Sequence, residues 1–177
     1  MTILISFVVA SLFLPSASPS EAAFEEALVH IAATRCENAR AVNIDKEFFR
    51  QLISIERASG VPFIYRGMVL AAACNESGYS SLATGDSGKA IGLLQMWPWW
   101  ERKYSLNRRD PIDSAVFWTK HILSVVPKAV KRCGKRKGFV SAWAWVASGP
   151  KGWTCRAPRH YKRLRIWHRL VKRHLKS

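Results

Sequence analysis

Residues 64–78 read IYRGMVLAAACNESG. From Met68 to Cys74 every side chain is apolar, so the stretch has no polar face. A helix that is apolar all round belongs inside a protein, not on its surface. We therefore expect a central buried helix from Ile64 to about Asn75, with Glu76 at its C-terminal end. That placement is the informative oddity. A glutamate there opposes the helix dipole, and apolar packing around a carboxylate disfavours its charged form. A carboxylic acid that keeps its proton can protonate a leaving oxygen. On position alone, however, an exposed glutamate at a helix end is the commoner case.

Working outward, most segments read as helix. Upstream, Asp45 opens one with Phe48, Phe49, Leu52, Ile53 and Ile55 on a broad apolar side, and Gly60-Val61-Pro62 stops it. Glu21–Arg35 forms another, with Ser20 as N-cap and Phe24, Leu28, Ile31 and Ala32 on one face. Downstream, Gly78 to Gly92 is rich in Gly and Ser and reads as loop, with room for a short β-hairpin around residues 82–95. Asp110-Pro111 opens a helix over Ile112–Val126 that Pro127 stops. Phe139–Ala147 is the next, bounded by Gly138 and Gly149-Pro150. Pro158 starts the last, with Tyr161, Leu164, Trp167, Val171 and Leu175 spaced three to four apart. The expected fold class is mainly α, in a single domain.

The first segment differs. Ile3–Leu14 is an apolar run followed by small residues and prolines. It is well short of the ~20 residues a membrane span needs, so residues 1–22 read as a signal peptide, with cleavage after Ser20, Ala22 or Ala23. The n-region lacks Lys and Arg, and an uncleaved anchoring helix is the rival reading. Behind such a segment the four cysteines, Cys36, Cys74, Cys133 and Cys155, point to two disulfides in an oxidising compartment, secreted or periplasmic. Four cysteines allow three pairings; we favour Cys36–Cys74 and Cys133–Cys155, since each closes one half of the chain. Their spacing resembles no common zinc pattern, so no metal and no cofactor are expected.

Charge is lopsided. Lys and Arg number 28 against 12 Asp and Glu, a net +16. No acid follows Asp113, so the excess lies in the C-terminal half. Such a field attracts polyanions: nucleic acid, anionic lipid or acidic wall polymers. No finger, homeodomain or RRM string is present, so nucleic-acid binding is expected only as a non-specific, salt-dependent effect. The last helix is basic and amphipathic, which suits an anionic membrane surface or a solvated basic face over a packed apolar one.

Two strings then combine. Glu76-Ser77-Gly78-Tyr79 closes the central helix, and after a Gly/Ser loop comes Gly92-Leu93-Leu94-Gln95-Met96-Trp97-Pro98. The pair resembles the lytic transglycosylases and goose-type lysozymes (the SLT domain), which carry a catalytic Glu-Ser at a helix end and then a Gly-Leu-Met-Gln-like string. Gly60-Val61-Pro62, Val69-Leu70-Ala71 and Asp110-Pro111 extend the similarity, which runs from about Gly60 to Pro150. Leu94 stands where Met is frequent. The family's Ala-Tyr-Asn-Ala-Gly-Pro is altered: here Ala144-Trp145-Val146-Ala147-Ser148-Gly149-Pro150 places Trp145 where a Tyr usually lies against the glutamate.

The resemblance implies a lysozyme-like domain over residues 23–177. It implies cleavage of the β-1,4 bond between N-acetylmuramic acid and N-acetylglucosamine in peptidoglycan, with Glu76 as acid and then base. Ser77, Gly92, Leu94, Gln95, Met96, Trp97 and Trp145 would contact the glycan. A hydrolytic lysozyme needs a second carboxylate to position water, and Asp86 is the candidate, although Gly-Asp-Ser-Gly is also ordinary turn chemistry. Trp97, Trp99 and Trp100 offer aromatic faces for sugar rings or for packing. The expected partner is the glycan strand, met by a monomer.

Overall fold

A computed structural model describes residues 18–37, 39, 45–148 and 155–177. The fold is mainly α with one small antiparallel hairpin, as expected. In chain order it comprises α1 (Pro19–Arg35), α2 (Lys46–Ala58), α3 (Met68–Ser77), β1 (Thr84–Gly85), β2 (Ala90–Ile91), α4 (Pro98–Tyr104), α5 (Pro111–Cys133), α6 (Gly138–Ser148) and α7 (Arg159–His174). The expected leader lies largely outside the described residues; its three possible cleavage points fall inside α1.

α3 is the centre. Met68 through Cys74 are fully buried, and α1, α2 and α7 pack around the helix. It starts four residues later than the sequence reading had it. Phe63–Tyr65 is a separate 3-10 turn, and Gly67 (φ 87°) breaks the chain before Met68. A side chain at Gly67 would also collide with Leu28, only 2.5 Å from where its Cβ would stand.

The start of α3 has no cap of its own. Glu56 supplies one from α2: its carboxylate accepts from Gly67 N at 2.5 Å and Val69 N at 2.7 Å. Glu56 is fully buried, and burial pushes its carboxyl up to about 8, against the pull of those two N–H bonds and of Arg66. Beside it, Glu25 pairs with Arg57 at 2.7 Å and Arg66 at 3.1 Å. This ionic cluster ties α1, α2 and the entry to α3 together.

Other boundaries moved for local reasons. The N-cap of α1 is Ser18, not Ser20, because Ser18 and Glu21 form a reciprocal capping box. Asp45 and Asp110 cap α2 and α5 as expected. Pro127 does not stop α5, which continues to Cys133. A mid-helix proline costs about 3 kcal/mol, but Trp118, Ile122, Val125 and Ala129 form one buried stripe that runs past it. That stripe packs on α6, and the exposed proline ring stays on the solvent side. In α7 the buried positions are His160, Leu164, Trp167 and Val171, whereas Leu175 is exposed.

All four cysteines are paired, Cys36 with Cys74 and Cys133 with Cys155. The first bond ties the end of α1 to α3; the second ties the end of α5 to the approach to α7. Among the described residues, no helix is long and apolar enough to cross a membrane.

Candidate active site

Glu76 is held in the last turn of α3, which Gly78 ends in the left-handed region (φ 58°). Its carboxylate opens onto a cavity of about 900 Å3. Opposite stands the hairpin loop, and aromatic side chains of α4, α5 and α6 complete the walls. Most of the sequence-derived candidates meet here: Asp86, Leu94, Gln95, Met96, Trp97 and Trp145 all line the same space as Glu76.

The loop has a specific construction. β1 and β2 pair Thr84 with Ile91 and Gly85 with Ala90. Gly92 turns the chain (φ 81°) and donates its N–H to Ala83 O at 2.9 Å. Any side chain there would strike the Arg108 carbonyl, which lies 2.0 Å from the Cβ position. Gln95 is also left-handed (φ 47°), and its amide donates to Ala83 O at 3.0 Å and Gly92 O at 2.9 Å. Arg108, almost wholly buried, donates to Lys89 O at 2.9 Å and Met96 O at 2.7 Å and pairs with Glu101 at 2.8 Å. The Gly-Leu-Leu-Gln string therefore acts first as a rigid turn. Gln95 presents its edge to the cavity while both its amide hydrogens brace the loop.

Two candidates point inward instead. The Ser77 hydroxyl is buried and donates back to Ala73 O at 3.1 Å. Gly92 is buried and lines no cavity wall. Both shape the site without facing it.

Sequence reasoning missed the group that touches Glu76. His160, the second residue of α7, lies with Nε2 2.6 Å from Glu76 Oε1. Its side chain is buried, whereas that of Glu76 is about one-third exposed at 35%. Among the described residues, no hydrogen bond holds His160 Nδ1. The environment of Glu76 is thus a polar pair at a cavity wall rather than a dry apolar pocket. A signal was present, since residues 160, 164, 167 and 171 continue the apolar spacing of the last helix one turn back onto a histidine. Trp145 lines the same cavity as Glu76 and packs on His121, ring centroids 5.4 Å apart.

His121 belongs to an aromatic group with Trp100, Tyr104 and Phe117. Burial, and to a lesser degree Lys103, hold its imidazole below the usual range. Trp99 and Trp100 stack on each other at 3.7 Å. Trp100 is core-packed, while Trp97 is 42% exposed with Lys89 Nζ 5.9 Å from its ring. Asp86 is exposed in a left-handed turn (φ 49°) and makes no ion pair among the described residues.

The arrangement combines a carboxyl group with one oxygen engaged by histidine, a second carboxylate lining the same cavity, and a trough of aromatic faces. That chemistry can exchange a proton with a bound molecule and grip flat, weakly polar rings. No family model, curated protein or solved structure matches the chain.

Proposed function

We propose that the protein is a peptidoglycan-cleaving enzyme of lytic transglycosylase type, secreted or periplasmic, with Glu76 as its acid and base. The observation that carries this reading is the meeting of the two motif strings: Glu76 and the Leu94–Trp97 turn line one aromatic-walled cavity.

The chemistry needs one carboxyl group. Glu76 gives its proton to the glycosidic oxygen as the bond from C1 of the muramic sugar breaks. That sugar's acetamide oxygen closes onto C1 and carries the positive charge. The 6-hydroxyl oxygen then attacks C1, the acetamide is released, and the hydroxyl proton returns to Glu76, leaving a 1,6-anhydro ring. His160 is the positioning residue. It engages Oε1, which leaves Oε2 for the ligand. Trp97, Trp99 and Trp145 supply faces for neighbouring sugars.

A hydrolytic reading is favoured by one observation: Asp86 is exposed in the same cavity and free to orient water. Mass spectrometry of digested peptidoglycan separates the two. Anhydromuramic ends, unchanged in Asp86→Asn, are the expected result; reducing ends lost in Asp86→Asn would replace it with a lysozyme. Lysis that survives Glu76→Gln would instead assign the effect to the basic, membrane-active face of α7.

A further inference from the structure

A second concavity, of about 430 Å3, is lined by residues adjacent in sequence to Glu76 and His160. α3 gives Glu76 to one cavity and the preceding Asn75 to the other; α7 likewise gives His160 to one and Arg159 to the other. Four cations line this second space, Arg35 from the end of α1 and Arg159, Lys162 and Arg163 from the first turns of α7. Glu37 is the one acid in its wall.

The cations are uncompensated. Among the described residues, Arg35, Arg159 and Lys162 enter no ion pair. Arg163 is half-buried, and its guanidinium meets the Cys74 sulfur and lies 3.9 Å from that of Cys36, a neutral disulfide. Positive groups gathered around one cavity repel each other, and an anion bound between them relieves that repulsion. Four positive charges against one negative leave an excess of three, more than a single carboxylate offsets. Guanidinium groups match phosphate oxygens in geometry and bind them through paired, charge-assisted hydrogen bonds. Arg159 is also the first residue of α7, where backbone N–H groups and the helix dipole favour an anion.

We propose that this cavity binds a phosphate group, with Arg35, Arg159, Lys162 and Arg163 as its cation partners. The group can belong to a lipid headgroup, an anionic polymer or a free phosphate; the chemistry is the same. The site is separate from the glycan reading and stands without it.

Calorimetric titration of the full chain with pyrophosphate at low salt tests it. One saturable site per chain is expected. Arg35→Gln/Arg159→Gln/Lys162→Gln, three exposed positions, should lower affinity at least about tenfold, the scale of lost charge-assisted bonds. Arg165→Gln/Arg169→Gln/Lys172→Gln removes the same charge from exposed positions of α7 outside the cavity and should change affinity by no more than about threefold, a screened long-range effect. Melting temperatures within a few degrees of the parent establish that both variants fold. Equal losses in the two variants, or no saturation in the parent, would overturn the site in favour of a diffuse positive field. Polyphosphate and vesicles with and without phosphatidylglycerol complete the test. A cavity-specific loss with either one identifies the source, and a loss confined to pyrophosphate leaves free phosphate as the ligand.

Discussion

The two ends of α3 each meet a glutamate, and the difference between them is instructive. At the N-terminal end the helix presents unsatisfied N–H groups, so the Glu56 carboxylate finds donors waiting and is sealed in by them. At the C-terminal end the helix presents carbonyls, which offer a carboxylate nothing. Glu76 must therefore take its hydrogen-bond partner from elsewhere in the fold, and His160 supplies one. The first glutamate is used up by structure. The second keeps an oxygen free and faces a cavity. The same residue type is sealed in at one end and left open to a cavity at the other because a helix is polar along its axis.

Removing each carboxyl group should break a different property. Glu76→Gln should lower peptidoglycan turnover by about a thousandfold or more, within the range of general acid–base catalysis, while the melting temperature stays within a few degrees. Full activity in a folded Glu76→Gln protein would end the catalytic reading. Glu56→Ala should do the reverse. It strands two buried N–H groups, a loss of about 2–4 kcal/mol in denaturant unfolding. A loss below about 0.5 kcal/mol, the level of an unremarkable surface site, would mean the brace is unimportant.

His160 sharpens the contrast further. His160→Ala should lower kcat about ten- to a hundredfold, the lower part of the acid–base range, with KM little changed. His160→Gln keeps a donor for Glu76 and should recover part of the loss, but with an altered pH profile. Equal KM and kcat effects would show that the histidine shapes the cavity only.

A further contrast concerns pH. The Glu56 carboxyl is raised in the folded protein from about 4.5 to about 8. The folded state therefore holds this proton more tightly than the unfolded state. Its contribution to stability is complete below about pH 4.5 and is lost as pH rises through about 8. Urea midpoints at pH 5 and pH 9 should fall for the parent and fall less for Glu56→Gln. An identical fall in both would assign the pH dependence to other groups.

Much of this was legible in the sequence, because helix periodicity, Asp caps and glycine turns are local signals. The hairpin was legible for the same reason. Pro127 misled, since its local cost is real but is overridden by a buried stripe that only the packing of α6 explains. The glutamate and the loop facing it were found as strings. What joins them was not: the Arg108 staple and the His160 bond connect residues far apart in sequence, and neither leaves a local pattern. The role of Gln95 was half-read for that reason; its side chain supports the turn that carries it.

The glutamate and its histidine are separated by 84 residues of chain. α3, the hairpin and α4–α6 can all be present before α7 exists. The last helix then docks on α1 and α3 and brings His160 to Glu76. A chain still emerging, or cut short after α6, would have the trough and the carboxyl group but not the histidine beside it. Assembly order thus makes the proposed site one of the last features to mature.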